Sequence, residues 1–150
     1  MRRGLAGVSL SGRFQVLPKK DYVSSPADDK AVVFKEWRLL KSEALVIGGV
    51  ELVAPGRYQV QFRLYDVLRE QQLAGFRYTV GAELLRQVAH QIADIIYEKL
   101  TGDAGVFSTR IAYVNRQGGI YRLVVADSDG YGEQTVLTAS EPIMSPAWSP

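Results

Sequence analysis

From Arg57 the chain alternates apolar and polar residues one for one, Tyr58, Val60, Phe62 and Leu64 against Arg57, Gln59, Gln61 and Arg63. A period of two predicts a strand with one face on a core and one in water. The same style returns after a turn in LAGFRYTV, Leu73 to Val80. Ahead of both lies ALVIGGVELV, Ala44 to Val53, an unbroken apolar run of strand length with β-branched residues. Such a run predicts a strand buried on both faces. Pro55-Gly56 supplies the turn after it, and three strands joined by short turns imply an antiparallel meander.

The period then changes. Over residues 82 to 100, Leu85, Ala89, Ile92, Ile96 and Leu100 lie along one helical stripe, Leu84, Val88 and Ile95 widen it, and Thr101-Gly102 marks the stop. This helix is expected to cover one face of the sheet. In VVFKEWRLLKSE, Val33, Trp37 and Leu40 recur at helical spacing, predicting a short amphipathic helix that Trp37 anchors to the sheet. Further upstream, Leu5, Val8 and Leu10 fit the last turns of a helix ended by Gly12; a short extended piece, Phe14 to Leu17, and a loop from Pro18 to Asp29 follow.

After Gly102 the composition shifts. Strand patterns at Arg110 to Val114, Tyr121 to Ala126 and Gln134 to Leu137 are separated by Gly118-Gly119 and by Asp127-Ser128-Asp129-Gly130, with no helical period between them. Together with Trp148 among the prolines of IMSPAWSP, they read as one blade of a radial all-β repeat and the threshold of the next. A lone blade cannot bury its own faces, so further blades are expected to follow. Its apolar residues Ile111, Tyr113, Leu123, Val125, Val136 and Leu137 predict weak protection or self-association for residues 106–150, against a true core in 31–102.

Charge and composition narrow the function classes. Eighteen Lys and Arg against sixteen Asp and Glu leave a net charge of +2, without the basic footprint of a nucleic-acid binder. The absence of cysteine excludes disulfides, thiolate chemistry and Cys-based zinc sites. MRRGLAGVSLSGRF makes a poor signal peptide, its apolar stretch broken by Gly7 and Ser9. No window reaches the roughly 18 apolar residues that a membrane-spanning helix needs.

Candidate chemistry is sparse. Asp127-Ser128-Asp129-Gly130 begins like a calcium loop, but the twelfth position is Thr138, which has no carboxylate, and Asp-Gly between strands signals a turn. His90, the one histidine, is expected on a solvated polar face with Glu83, Arg86, Gln87 and Asp94 rather than in catalysis. Gly48-Gly49 lies inside a strand pattern and lacks the spacing of a dinucleotide loop. Tyr97, Tyr113, Tyr121 and Tyr131 fit sheet packing better than a ligand-stacking surface. No nucleophile elbow or His-Glu-x-x-His motif occurs. The expectation is therefore a non-enzyme with no catalytic, cofactor-binding or metal residues.

EKLTGDAGVFSTRIAYV, Glu98 to Val114, with YRLVVADSDGYGEQTV and PIMSPAWSP, resembles the TolB family of the Tol-Pal envelope system where its N-terminal domain meets its first propeller blade. WRLLKSEALVIGGVEL, GRYQVQFRLYDV and QQLAGFRYTV resemble the N-terminal domain of that family in order and spacing. The resemblance implies an α+β protein, with an N-terminal α/β sheet domain and covering helix over residues 1–104, its first strand missing. The first blade and the start of the second, incomplete, occupy 105–150. It further implies a periplasmic, non-enzymatic adaptor supporting outer-membrane integrity and envelope constriction at division, with bacteriocin import as an associated role. Pal and TolA are the partners it implies for the full-length member, with the Pal surface in blades beyond Pro150 and the TolA segment before Met1. Two alternatives stand beside it. A propeller-containing hydrolase needs a downstream nucleophile, and nucleic-acid binding rests only on a fold analogy with anticodon-binding domains.

Overall fold

In the computed structural model, which describes residues 12–22, 24 and 32–148, the chain divides into two units between Gly105 and Val106. The meander forms the first. Strands β1 (Ala44–Ala54), β2 (Arg57–Asp66) and β3 (Gln71–Gly81) pair antiparallel in the order β1-β2-β3. Gly56 takes a positive φ of 71° between β1 and β2, a conformation that a side chain disfavours. Val46 faces Leu64 across the first pair and Leu64 faces Ala74 across the second, so one face runs apolar through all three strands. The second pair slips after Leu64, where Tyr65 meets Gln72 and Leu73 is the extra residue of a bulge.

Both faces of the sheet are covered at one end. Val60, Phe62, Leu64 and Ala74 are buried on the face where helix α2 (Leu85–Thr101) packs against β2 and β3, presenting Val88, Ile92, Ala93 and Ile96. On the other face Leu45, Ile47, Tyr65 and Val67 form a second buried cluster with Trp37. Trp37 belongs to the short helix α1 (Phe34–Leu39) and meets the Tyr22 ring edge-on at 5.4 Å. Phe34 makes the same kind of contact with Tyr65 at 5.6 Å. Trp37 thus anchors α1 to the sheet, as the sequence predicts.

Three expectations need correction. The apolar run of β1 is not buried on both faces along its length: Leu45 and Ile47 are, but Val50, Leu52 and Val53 are exposed. Among the described residues β1 pairs with β2 alone, and α1 covers only its first half, so the far half has no layer over it. The buried stripe of α2 centres on Val88, Ile92 and Ile96, four residues apart, with Leu84 exposed in a 3-10 turn (Ala82–Leu84) before the helix. His90 is half-buried, with Nε2 shielded from solvent, not solvated on an opposite face. It lies three residues before buried Ala93, about 60° around the helix, at the margin of the packed stripe. Gly102 closes α2 in the left-handed region (φ 82°), its N–H donating to Glu98 at 2.8 Å.

The expected helix around Leu5, Val8 and Leu10 lies outside the described residues, as does half of the Pro18 to Asp29 loop, whose described part includes a 3-10 turn at Lys19–Asp21. Phe14 to Leu17 forms no ladder; the Phe14 ring meets Tyr97 edge-on at 5.9 Å. No helix among the described residues is long and apolar enough to cross a membrane.

The second unit is a separate antiparallel sheet of β4 (Arg110–Gln117), β5 (Ile120–Asp127) and β6 (Gln134–Ala139), in that order. Gly118 and Gly119 both take positive φ in the tight β4-β5 turn, the conformation such a hairpin requires. Its buried apolar residues among those described are Val124, Val125 and Ala126, all on the central strand. Ile111, Val136, Leu137, Met144 and Trp148 are exposed, Trp148 by 61%. Strand β6 leaves its apolar side chains open to solvent.

Candidate functional site

The face of β2 that carries Gln61 and Arg63 shares its side of the sheet with the α1 cluster but runs past the end of that helix. There the sheet bears a hollow of about 260 Å³ whose lining includes Ile47, Gln61, Arg63, Gln72, Gly75 and Arg77. Register explains the grouping. Ile47, Arg63 and Gly75 form one cross-strand row, and Gly49, Gln61 and Arg77 form the next, all on one face. Arg77 Nη2 donates to Gln61 Oε1 at 3.3 Å.

The bulge at Leu73 completes the set. In an unbroken strand residues 72 and 75 point to opposite faces, whereas the extra residue turns Gln72 to the side of Gly75. A Cβ built on Gly75 would stand 2.7 Å from Gln72 Nε2 and 3.3 Å from Arg63 Cγ, so the hollow exists because position 75 has no side chain. Two arginines and two glutamines, all with side chains able to donate hydrogen bonds, line that gap. Chemically this arrangement suits an oxyanion. On the sequence alone Gln61 and Arg63 belong to a solvent face; the available signal is a glycine in each outer strand, Gly49 and Gly75, beside polar positions, but the bulge leaves no mark in the pattern.

Asp127-Ser128-Asp129-Gly130 is held as a turn. Gly130 N–H donates to Asp127 O at 2.8 Å, Tyr131 N–H to Asp129 Oδ1 at 3.2 Å, and Asp127 N–H to Tyr131 O at 2.9 Å. Ser128 ties this turn to the strand entry, its Oγ donating to Phe107 O at 2.7 Å and its N–H to Thr109 O at 3.1 Å. The tyrosines are engaged locally. Tyr113 donates its hydroxyl proton to Glu133 Oε1 at 2.6 Å, and Arg116 lies over the Tyr121 ring, 5.4 Å from its centre. The hydrogen bond to Glu133 raises the Tyr113 pKa above its ordinary value, with desolvation and the Glu133 charge acting in the same direction.

Comparison with known proteins gives the chain two family matches in tandem: the TolB amino-terminal domain over residues 6–73 and the TolB beta propeller domain over 97–150. It is 48% identical over 145 residues to the Tol-Pal system protein TolB of Methylobacillus flagellatus, covering 97% of this chain and 34% of that protein. The corresponding protein of Nitrosococcus oceani is 49% identical over 150 residues, with 97% and 35% covered. A crystal structure of TolB from Acinetobacter baumannii superposes with a TM-score of 0.86 at 36% identity, over 97% of this chain and 37% of that one. The chain spans about a third of the length of the curated relatives it matches.

Proposed function

We propose, from the premise that the chain belongs to the TolB family, that it acts as part of a non-enzymatic periplasmic adaptor of the Tol-Pal system, supporting outer-membrane integrity and envelope constriction at division. The observation that carries this reading is the tandem order of the two family matches, within a likeness that covers 97% of the chain. Residues 1–104 serve as the N-terminal domain and 105–150 as the first propeller blade with the start of the second. The exposed apolar residues of β4 to β6 support that role, since a blade reaches a stable burial only between neighbours. Pal and TolA are the partners of the whole assembly. The relatives are Tol-Pal system proteins, which does not favour the hydrolase alternative.

The test is a calorimetric titration of purified Pal periplasmic domain against this 150-residue chain, with a full-length relative as positive control. Tight binding by the relative and none by the chain places the Pal surface in the further blades. Equal binding by both moves it into residues 1–150.

A further inference from the structure

We propose that the hollow over Gly75 is a recognition site for a side-chain carboxylate presented by an acidic peptide segment, with Arg63, Arg77, Gln61 and Gln72 as its donors. This inference stands independently of the adaptor reading. Three features carry it. Among the described residues the lining contains two cations and no carboxylate. Guanidinium forks pair with carboxylates in one plane through two hydrogen bonds, and the adjacent cross-strand rows set such donors side by side. Gln61, whose Oε1 already accepts from Arg77, still has an NH₂ group that can donate, and Gln72 Nε2 lies over Gly75 itself.

The size and surroundings of the hollow select the ligand class. At about 260 Å³ it falls below the usual range of small-molecule pockets, roughly 300–1,000 Å³, and suits one side chain attached to a larger body. Ile47 gives an apolar wall for the methylene carbons of an aspartate or glutamate. The bulge at Leu73 and the glycine at 75 are both needed to open the space and to aim Gln72 into it, and bulges commonly re-aim a side chain in this way.

The experiment is an NMR titration of the full chain with the peptide Ac-Gly-Glu-Glu-Gly-NH₂, its Gln-Gln counterpart and inorganic phosphate. The result expected is saturable shifts of the Gln61 and Gln72 side-chain amides and of Arg77 Nε with the glutamate peptide alone, weakening as salt is raised. Arg77→Gln should weaken binding roughly tenfold, since it replaces a charge-assisted pair with a neutral one. Gly75→Val should abolish binding while keeping the dispersed amide spectrum, because valine suits a strand and its side chain fills the gap. If that variant does not fold, Arg77→Gln decides. Absence of saturable shifts at these groups, equal response to the Gln-Gln peptide, tighter binding of phosphate than of the glutamate peptide, or unchanged affinity in a folded Gly75→Val variant would each overturn the assignment.

Discussion

Replacing Phe62 with alanine should cost the first unit a large share of its stability. Phe62 is 1% exposed, in the middle of the central strand, beneath α2, and it stacks on Phe76 with ring centres 5.9 Å apart. Transfer of the side chain from the core back to water contributes about 2 kcal/mol. A residual cavity of roughly 100 Å³ adds about 2.4 kcal/mol at about 24 cal/mol per Å³. Phe76 is 49% exposed and is free to settle partly into the space, so the net loss should be about 4 kcal/mol. Against a total of roughly 5–15 kcal/mol for a small domain, that is a large share. The assay is urea unfolding followed by tryptophan fluorescence. Trp37, 3% exposed in the first unit, reports the change, while Trp148, already exposed, adds a nearly constant background. With a denaturant slope of about 1.5 kcal/mol/M, a loss of about 4 kcal/mol lowers the midpoint by about 2.7 M. Leu52→Ala, at an edge-strand position 64% exposed, should move it by less than about 0.3 M, the scale of a surface change of about 0.5 kcal/mol. Similar shifts for both variants would refute the account of where the core lies.

Three further outcomes follow from the same geometry. Tyr113 should titrate above the ordinary tyrosine value when followed by absorbance, and Glu133→Gln should return it toward that value. Because the folded pKa is raised, any stability this hydrogen bond contributes is fully present below the unfolded tyrosine pKa of about 10 and is lost as pH rises through the folded value. The Tyr113→Phe variant should therefore unfold with a flatter dependence on alkaline pH than the parent, and identical profiles would contradict the assignment. Gly102→Ala should destabilise the first unit by about 1–2 kcal/mol, read from the same urea curves, since φ 82° places an alanine side chain in the left-handed region. Amide exchange of the monomer should be slow in β2 and α2 and fast in β4 and β6; uniform slow exchange across both units would overturn the view of an uncovered blade.

Much of the fold was legible because single elements carry their own periodicity. The alternation from Arg57 to Leu64 placed Val60, Phe62 and Leu64 inward, and they are buried. The Gly118-Gly119 and Asp127 to Gly130 turns were visible from residues that tolerate positive φ, and both Gly119 and Gly130 adopt it. The length of α2 was legible for the same reason, from its stripe and its glycine stop. What failed concerned neighbours. An unbroken apolar run in β1 describes a strand that a second layer would cover, but periodicity does not say where the covering helix ends. His90 was assigned to a solvated face from the helical wheel alone, which does not show how wide the packed arc is. The hollow over Gly75 has no signature in the sequence, since Gln61, Arg63 and Arg77 look like ordinary outward positions one strand at a time.

What the residues settle on their own is the elements and their turns, because hydrophobic period, proline and glycine act over a few residues and are written locally. Tertiary structure alone decided which half of β1 is buried, how far His90 is withdrawn from water, and that two arginines and two glutamines from neighbouring strands meet around one glycine. Those outcomes depend on register, and a single extra residue at Leu73 changes which side chains share a face.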